Sequence, residues 1–245
     1  SFNLTVGNGQ RLEGQKAGLA DLAGDLILSG TTNRSKDEID AKSDYIGASL
    51  SAGSRNLNLT CLTKHMDEGL KIFSDVAMNA NFPQSEFDRI VKQWESNLMS
   101  LKSSPEGMGE NALMSALFAN HPYGEVTTEA TLAKITRDDV QQYFKETFVP
   151  EGSYLVIVGD ITKAKAEEVV NKYFSSWSGK SLPKVDYPSA KNLNGNRVIF
   201  VKKTGAVQSY IQVAFPLDVK IGDVARAQGA RRNGRIVGRP PPTSR

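Results

Sequence analysis

Residue types that support catalysis are scarce in this chain, and two acids near its start are the first informative feature. The 245 residues include two histidines, His65 and His121, and a single cysteine, Cys61. One cysteine excludes an intrachain disulfide and a cysteine-based zinc cluster. Asp21 and Asp25 stand four residues apart in a helical pattern, so both carboxylates lie on one helix face and could favour a hard cation such as Ca²⁺ or Mg²⁺. Without further oxygen ligands, a pair of solvated acids is the favoured interpretation.

The composition is that of a globular protein of one to two domains, at about 150 residues per domain. Hydrophobic residues make up 39% and charged residues 23%, which excludes a disordered chain and a coiled coil. No apolar run approaches the roughly 18 residues that span a bilayer. The net charge is +3, but residues 221–245 alone contain six arginines and one acid. This Arg/Pro-rich tail is either a disordered basic arm that contacts nucleic acid or anionic lipid or, as we favour, non-native sequence. On the favoured interpretation, the net charge indicates no nucleic-acid partner.

Apolar periodicity predicts alternating helices and strands, and therefore an α+β fold. The predicted strands are Phe2–Val6, Tyr45–Ala52, Leu57–Cys61 and the continuous apolar run Tyr154–Val158. Helices are predicted over Gln15–Ser29, Met66–Ala80, Ser85–Leu101 and Gly107–Ala119, and after Thr136 and Thr162. Residues 1–180 then form the first domain, residues 181–195 a linker, and residues 196–220 two strands of a second domain, because two strands alone cannot bury a core.

Four phrases occur together in an order that resembles the insulinase/pitrilysin family of zinc peptidases, which includes mitochondrial processing peptidase. The phrases are Gly18–Thr31 (GLADLAGDLILSGT), His121–Gly124 (HPYG), Ile135–Val140 (ITRDDV) and Tyr154–Ile161 (YLVIVGDI). The resemblance covers about residues 2–220 and is greatest to the shorter bacterial members. It implies a processing-peptidase-like α/β sandwich with an antiparallel-rich sheet and packed helices, followed by the start of a second, similar domain. In the family a further strand usually precedes the Phe2 region, so the first domain is expected to lack it.

The same resemblance implies that the zinc motif is degenerate. Family members carry His-x-x-Glu-His on one helix and a third ligand, a glutamate, on a later helix. Here the two histidine positions are Asp21 and Asp25, the general-base position is Gly24, and the third-ligand position, counted back from Pro105, is Asn97. No catalytic residue and no zinc are therefore expected in this chain. Glycine inside a helix costs about 1 kcal/mol relative to alanine, so Gly24 indicates close approach by a neighbouring segment.

The histidines present do not replace the missing ligands. The resemblance implies that the loop containing His121 and Tyr123 is structural and lies near the family's substrate cleft. A structural role is the favoured interpretation for His121, and both residues are also candidate contacts for substrate or partner. His65 is interpreted as a surface or capping residue at the start of a helix. Cys61 alternates with two leucines in a predicted strand and is expected to be a core thiol.

The favoured function is a non-catalytic subunit that helps to form a peptidase chamber. In this hypothesis a homologous partner carries the zinc, and the chain helps to hold an extended peptide substrate by adding a strand to a sheet edge. One alternative is a scaffold similar to the core subunits of a respiratory complex. The other is an active metallopeptidase with a non-standard metal site at Asp21 and Asp25. The periplasm is the favoured location by resemblance to bacterial heterodimers, with no nucleic-acid partner and no membrane span.

Overall fold

The α+β fold predicted from the sequence is confirmed by a computed structural model, which describes residues 1–7, 9–187, 197–206 and 208–214. The strands are β1 (Phe2–Thr5), β2 (Ser49–Gly53), β3 (Asn56–Thr60) and β4 (Tyr154–Ile157). The helices are α1 (Leu19–Leu26), α2 (Lys36–Tyr45), α3 (Met66–Asn79), α4 (Gln84–Ser103), α5 (Pro105–Leu117), α6 (Glu129–Leu132), α7 (Arg137–Thr147) and α8 (Lys163–Phe174).

The chain divides into two compact units. The first contains Ser1–Glu95 and Thr127–Val185; the second contains Ser96–Val126 and the described residues from Asp186 onward. Every fully buried apolar side chain among the described residues belongs to the first unit. The linker and domain boundaries predicted from the sequence stay predictions, since residues 188–196 and the tail from 221 to 245 lie outside the described residues.

The core of the first unit lies between one sheet face and a layer of helices. The four strands are antiparallel in the order β2-β3-β1-β4. Strand residues alternate between the two faces, so Phe2 and Leu4 of β1 lie beside Leu59 and Leu57 of β3 on the buried face. Helix α3 covers these residues, with the Phe73 ring 6.5 Å from that of Phe2. A continuous apolar layer therefore holds the sheet to the helices.

The opposite face of the sheet carries no buried residue. Across β2, β3 and β1 it presents uncharged polar side chains, such as Ser51 opposite Asn58 and Asn58 opposite Asn3. On β4 the same face presents Tyr154 and Val156, which are 60% and 45% exposed. The apolar run predicted as one continuous strand is therefore an outer strand with alternate side chains exposed.

One strand prediction is wrong over part of its length. The predicted strand Tyr45–Ala52 begins in a helix, because α2 runs to Tyr45 and β2 starts at Ser49. The helix is set by a capping box in which the Ser35 side chain accepts from the Glu38 amide and the Glu38 carboxylate accepts from the Ser35 amide. The Ser-x-x-Glu spacing of Ser35 and Glu38 is the sequence signal that predicts the start of this helix.

The two strands predicted after the linker do not form in the described residues of 198–202 and 210–214. A strand needs a hydrogen-bonded neighbour, and the described residues of this segment form other contacts instead. The Tyr210 hydroxyl lies 3.0 Å from the Glu106 carboxylate of α5, and the Gln212 amide donates to Glu110 at 2.7 Å. Their assignment to a second domain stays a prediction, and Phe215 lies outside the described residues.

Candidate functional site

Helix α1 carries the degenerate motif and is held firmly at its N-terminus. The carboxylate of Glu13 accepts hydrogen bonds from the amides of Gly18, Leu19 and Ala20 at 2.6, 3.0 and 2.7 Å. These amides have no partner within the helix, and a negative charge at this end also interacts favourably with the helix dipole. Gly18 has a φ of 102°, a conformation that favours glycine. The start of the helix is therefore fixed by a side chain that precedes it.

The motif positions lie on two different sides of α1. Asp21 and Asp25 are exposed, whereas Leu22, Ala23 and Gly24 are buried. Asp21 and Asp25, at the predicted zinc-ligand positions, therefore face solvent, whereas Gly24, at the predicted general-base position, faces the interior. The common helix face predicted for the two aspartates fits this exposure.

The general-base position has no room for a side chain. A Cβ atom added at Gly24 would lie 2.5 Å from the backbone nitrogen of Ser54 and 2.7 Å from the carbonyl carbon of Gly53. Both atoms belong to the backbone where β2 turns into β3, so neither can rotate away. The close approach expected at Gly24 is present, and even alanine there would require the helix or the turn to shift.

The turn that occupies this space is tied to two further elements. The Tyr143 hydroxyl of α7 donates to the Ser54 carbonyl oxygen at 2.9 Å. Burial raises the pKa of Tyr143 well above its usual value, which keeps the hydroxyl protonated as a donor. The Arg55 guanidinium donates to the carbonyl oxygens of Val6 and Gly7 at 3.0–3.1 Å.

Asp25 takes part in a structural contact. Its carboxylate accepts a hydrogen bond of 2.8 Å from the indole nitrogen of Trp94 on α4. The two residues are 69 positions apart in the sequence, and nothing in the sequence pattern paired them. The second histidine position of the motif therefore links α1 to α4.

The motif positions Asp21, Asp25 and Asn97 are divided between the two units. Asn97 is exposed on the part of α4 that belongs to the second unit, whereas Asp21 and Asp25 belong to the first. No group of three or more histidine, cysteine, aspartate or glutamate side chains within residues 1–7, 9–187, 197–206 and 208–214 is placed to bind a metal ion. The residues present do not fit zinc, since the helix lacks imidazoles and the position of the base is filled by backbone.

The candidate contact residues His121 and Tyr123 lie together in an aromatic cluster of the second unit. Their ring centroids are 4.6 Å apart, and the His121 ring also lies 5.8 Å from Phe118 and 5.1 Å from Tyr187. The Nδ1 atom of His121 accepts from the Tyr123 amide at 3.1 Å, which holds the loop in shape. Tyr123 is 56% exposed. Contact with substrate or partner stays a prediction for both residues.

The other reactive side chains also have structural surroundings. His65 precedes α3, with its Nδ1 atom 2.9 Å from the Glu68 carboxylate in the first turn of that helix. Cys61 is half-buried, and this burial raises the pKa of its thiol, which favours the unreactive protonated form. Cys61 is thus less enclosed than the core thiol predicted for it.

A buried carboxylate that the sequence did not single out anchors the loop after α1. Asp75 of α3 is 5% exposed and accepts hydrogen bonds from Thr31, Asn33 and Asn79 at 2.7, 2.6 and 2.9 Å. Arg34 forms an ion pair with it. Burial by itself would raise the pKa of Asp75, but these hydrogen bonds and the Arg34 charge lower it overall. This cluster stabilises the fold and is separate from the motif positions.

Comparison with known protein families matches nearly the entire described chain. Residues 1–131 match the insulinase family, peptidase family M16, and residues 134–223 match the peptidase M16 inactive domain. The "Uncharacterized zinc protease YmxG" of Bacillus subtilis is 24% identical over 188 residues, which cover 74% of this chain and 46% of that protein. The "Non-peptidase homolog YmxG" of Helicobacter pylori is 23% identical over 161 residues, covering 63% and 37%.

Solved structures show the same fold. A peptidase M16 inactive domain from Pseudomonas fluorescens superposes with a TM-score of 0.71 at 21% identity, covering 77% of this chain and 48% of that one. The periplasmic protease PqqL from Escherichia coli gives 0.65 at 17% identity, covering 79% and 23%. The chain thus spans less than half the length of the relatives that it matches. Among the described residues, no helix is long and apolar enough to cross a membrane.

Proposed function

Since the chain belongs to the insulinase family, peptidase family M16, we propose that it is a pseudo-peptidase subunit that binds peptide without cleaving it. The observation that carries this proposal is the contact at Gly24, where the backbone of Ser54 lies 2.5 Å from the position of a Cβ. A zinc hydrolase needs two or three strong ligands and a base beside the metal-bound water. This chain offers two exposed carboxylates and backbone atoms in place of the base.

The peptide-binding role is assigned to the outer edge of β2. Among the described residues, β2 is the end strand of the sheet, pairs with β3 alone and contacts α1 at Gly24. Its sequence, Ser-Leu-Ser-Ala-Gly, contains no charge and no proline, the features that usually block strand addition at an edge. An extended peptide can form backbone hydrogen bonds along the outer side of β2, as in other complexes that add a strand to a sheet.

The catalytic metal is assigned to a second, homologous subunit. A chain of this family that cannot hold zinc contributes to proteolysis only beside one that does, so the proposed partner is a zinc-bearing peptidase of the same family. The periplasm is the proposed location, by analogy with the similar protein PqqL, which is described as a periplasmic protease.

The first experiment measures zinc and peptidase activity in the purified chain, with the Helicobacter pylori zinc protease PqqE, another similar protein, as a positive control. We expect substoichiometric zinc and no chelator-sensitive cleavage of a quenched fluorescent peptide. Stoichiometric zinc together with chelator-sensitive cleavage would overturn the proposal. Activity with a hard cation, lost when Asp21 and Asp25 are both changed to alanine, would instead support the non-standard metal site.

The second experiment identifies the partner by affinity purification from the native cell. We expect a zinc-bearing homologue in equal amount, and cleavage activity in the complex that neither subunit shows alone. Recovery of a membrane respiratory complex would instead support the scaffold function.

A further inference from the structure

The turn between β2 and β3 is restrained by contacts within the hairpin and with other elements. It is a two-residue turn, Ser54-Arg55, between Gly53 and Asn56, which form the last pair of the β2–β3 ladder. A Cβ added at Gly53 would lie 2.6 Å from the Asn56 side-chain oxygen, so the turn is closed tightly upon itself. Whatever fixes this turn also fixes the end of β2.

Three separate elements contact the turn. Helix α1 meets it at Gly24, helix α7 through the Tyr143 hydroxyl at 2.9 Å, and the end of β1 through the Arg55 guanidinium. The Val6 amide also donates to the Arg55 carbonyl oxygen at 2.9 Å. These contacts come from parts of the chain before and after the hairpin, so the hairpin cannot move without breaking several of them.

Restraint of this turn affects peptide binding because β2 is the end strand of the described sheet and is the strand assigned to pair with the peptide. Ordering a flexible strand on binding costs conformational entropy, and a strand that is already held in place avoids that cost. Tyr143 is suited to supply this restraint, because its hydroxyl donates a hydrogen bond to the Ser54 carbonyl oxygen in the turn.

We propose that α1 and α7 clamp the β2–β3 turn, with Tyr143 as a positioning residue that preorganises β2 to receive an extended peptide. The peptide part of this inference rests on the proposed function; the clamp rests on the contacts alone. The helix that carries the zinc motif elsewhere in the family thus serves in this chain as a support for the sheet edge.

The test compares Tyr143→Phe with the wild-type chain, using Tyr45→Phe as a matched control. Tyr45 is 78% exposed at the end of α2, so that control also removes one hydroxyl. The first readout is amide hydrogen exchange. In Tyr143→Phe we expect about fivefold faster exchange at β2 and the turn, and unchanged exchange in the core helix α3. Equal acceleration throughout the first unit, or none at β2, would overturn the clamp.

The second readout is affinity for a fluorescein-labelled peptide with the β3 sequence Asn-Leu-Asn-Leu-Thr, measured by anisotropy. Its alternately N-methylated form, which lacks backbone donors, is the control peptide. We expect Tyr143→Phe to weaken binding about fivefold and Tyr45→Phe to leave it unchanged. Faster exchange at β2 with unaltered affinity would overturn the positioning role. A wild-type chain that does not bind the peptide, or binds the N-methylated form equally, would overturn the peptide-binding function while the exchange result still decides the clamp.

Discussion

The exposed and buried sides of helix α1 differ in whether they can accept a larger side chain. On the exposed side lie Asp21 and Asp25, the two residues predicted by resemblance to occupy the zinc-ligand positions. On the buried side, Gly24 is sealed by the backbone of Gly53 and Ser54. The ligand positions could therefore accept new side chains with little disturbance, whereas the base position could not. Packing as well as residue identity therefore distinguishes the Gly24 position from the positions of Asp21 and Asp25.

The largest expected effect comes from restoring the base. Gly24→Glu forces a long, charged side chain into space that backbone atoms occupy, and we expect the free energy of unfolding to fall by at least about 3 kcal/mol. Urea denaturation followed by circular dichroism measures this loss. Asp21→Glu also places a glutamate on α1, but on the exposed side, and its free energy of unfolding should stay within about 0.5 kcal/mol of that of the wild type. Equal stability of the two variants would mean that the two sides do not differ.

A smaller effect is expected when the buried carboxylate of Asp75 is removed. Asp75→Ala leaves the donors of Thr31, Asn33 and Asn79 without their acceptor, so we expect a loss of about 2–3 kcal/mol in the free energy of unfolding. The same urea measurement applies. A loss below that of the exposed variant Asp25→Ala would show that burial does not determine what a carboxylate contributes.

The pH dependence of the free energy of unfolding should reveal the contribution of the Asp75 carboxylate. The pKa of Asp75 is lower in the folded chain than in the unfolded one, so its contribution is complete above the unfolded value of about 3.9 and is lost as the pH falls through the folded value. We expect Asp75→Asn to lose less stability than wild type between about pH 5 and pH 2. Thermal melts across that range measure the difference. A difference between the two chains that stays constant across that range would contradict the assignment to Asp75.

The smallest effect is expected at Asp25. Asp25→Ala removes the acceptor of the Trp94 indole at an exposed position, which should cost less than about 1 kcal/mol. The emission of Trp94 should change as its hydrogen bond is lost, while that of Trp177, the second tryptophan, stays the same. Trp177→Phe in both backgrounds isolates the signal. An unaltered spectrum would mean that the contact does not persist in solution.

Local patterns in the sequence were sufficient for most elements of the first unit. Helices α7 and α8 begin after Thr136 and Thr162 as predicted, because each threonine accepts a hydrogen bond from the amide three residues on. Strands β1 and β3 follow from their alternation. Helices α2 and α6 were not among the predicted helices, and each begins at a capping box that a search for apolar patterns passes over.

The sequence by itself determined that helix α1 contains no histidine and that glycine stands at the expected general-base position, because residue identity can be read directly. The sealing of Gly24 required the tertiary structure. It depends on a turn some thirty residues later in the chain, and that turn accepts a hydrogen bond from Tyr143, which is 89 positions from Ser54. Local propensity carries no information about such distant pairs, since only the packing of the sheet against the helices brings them together.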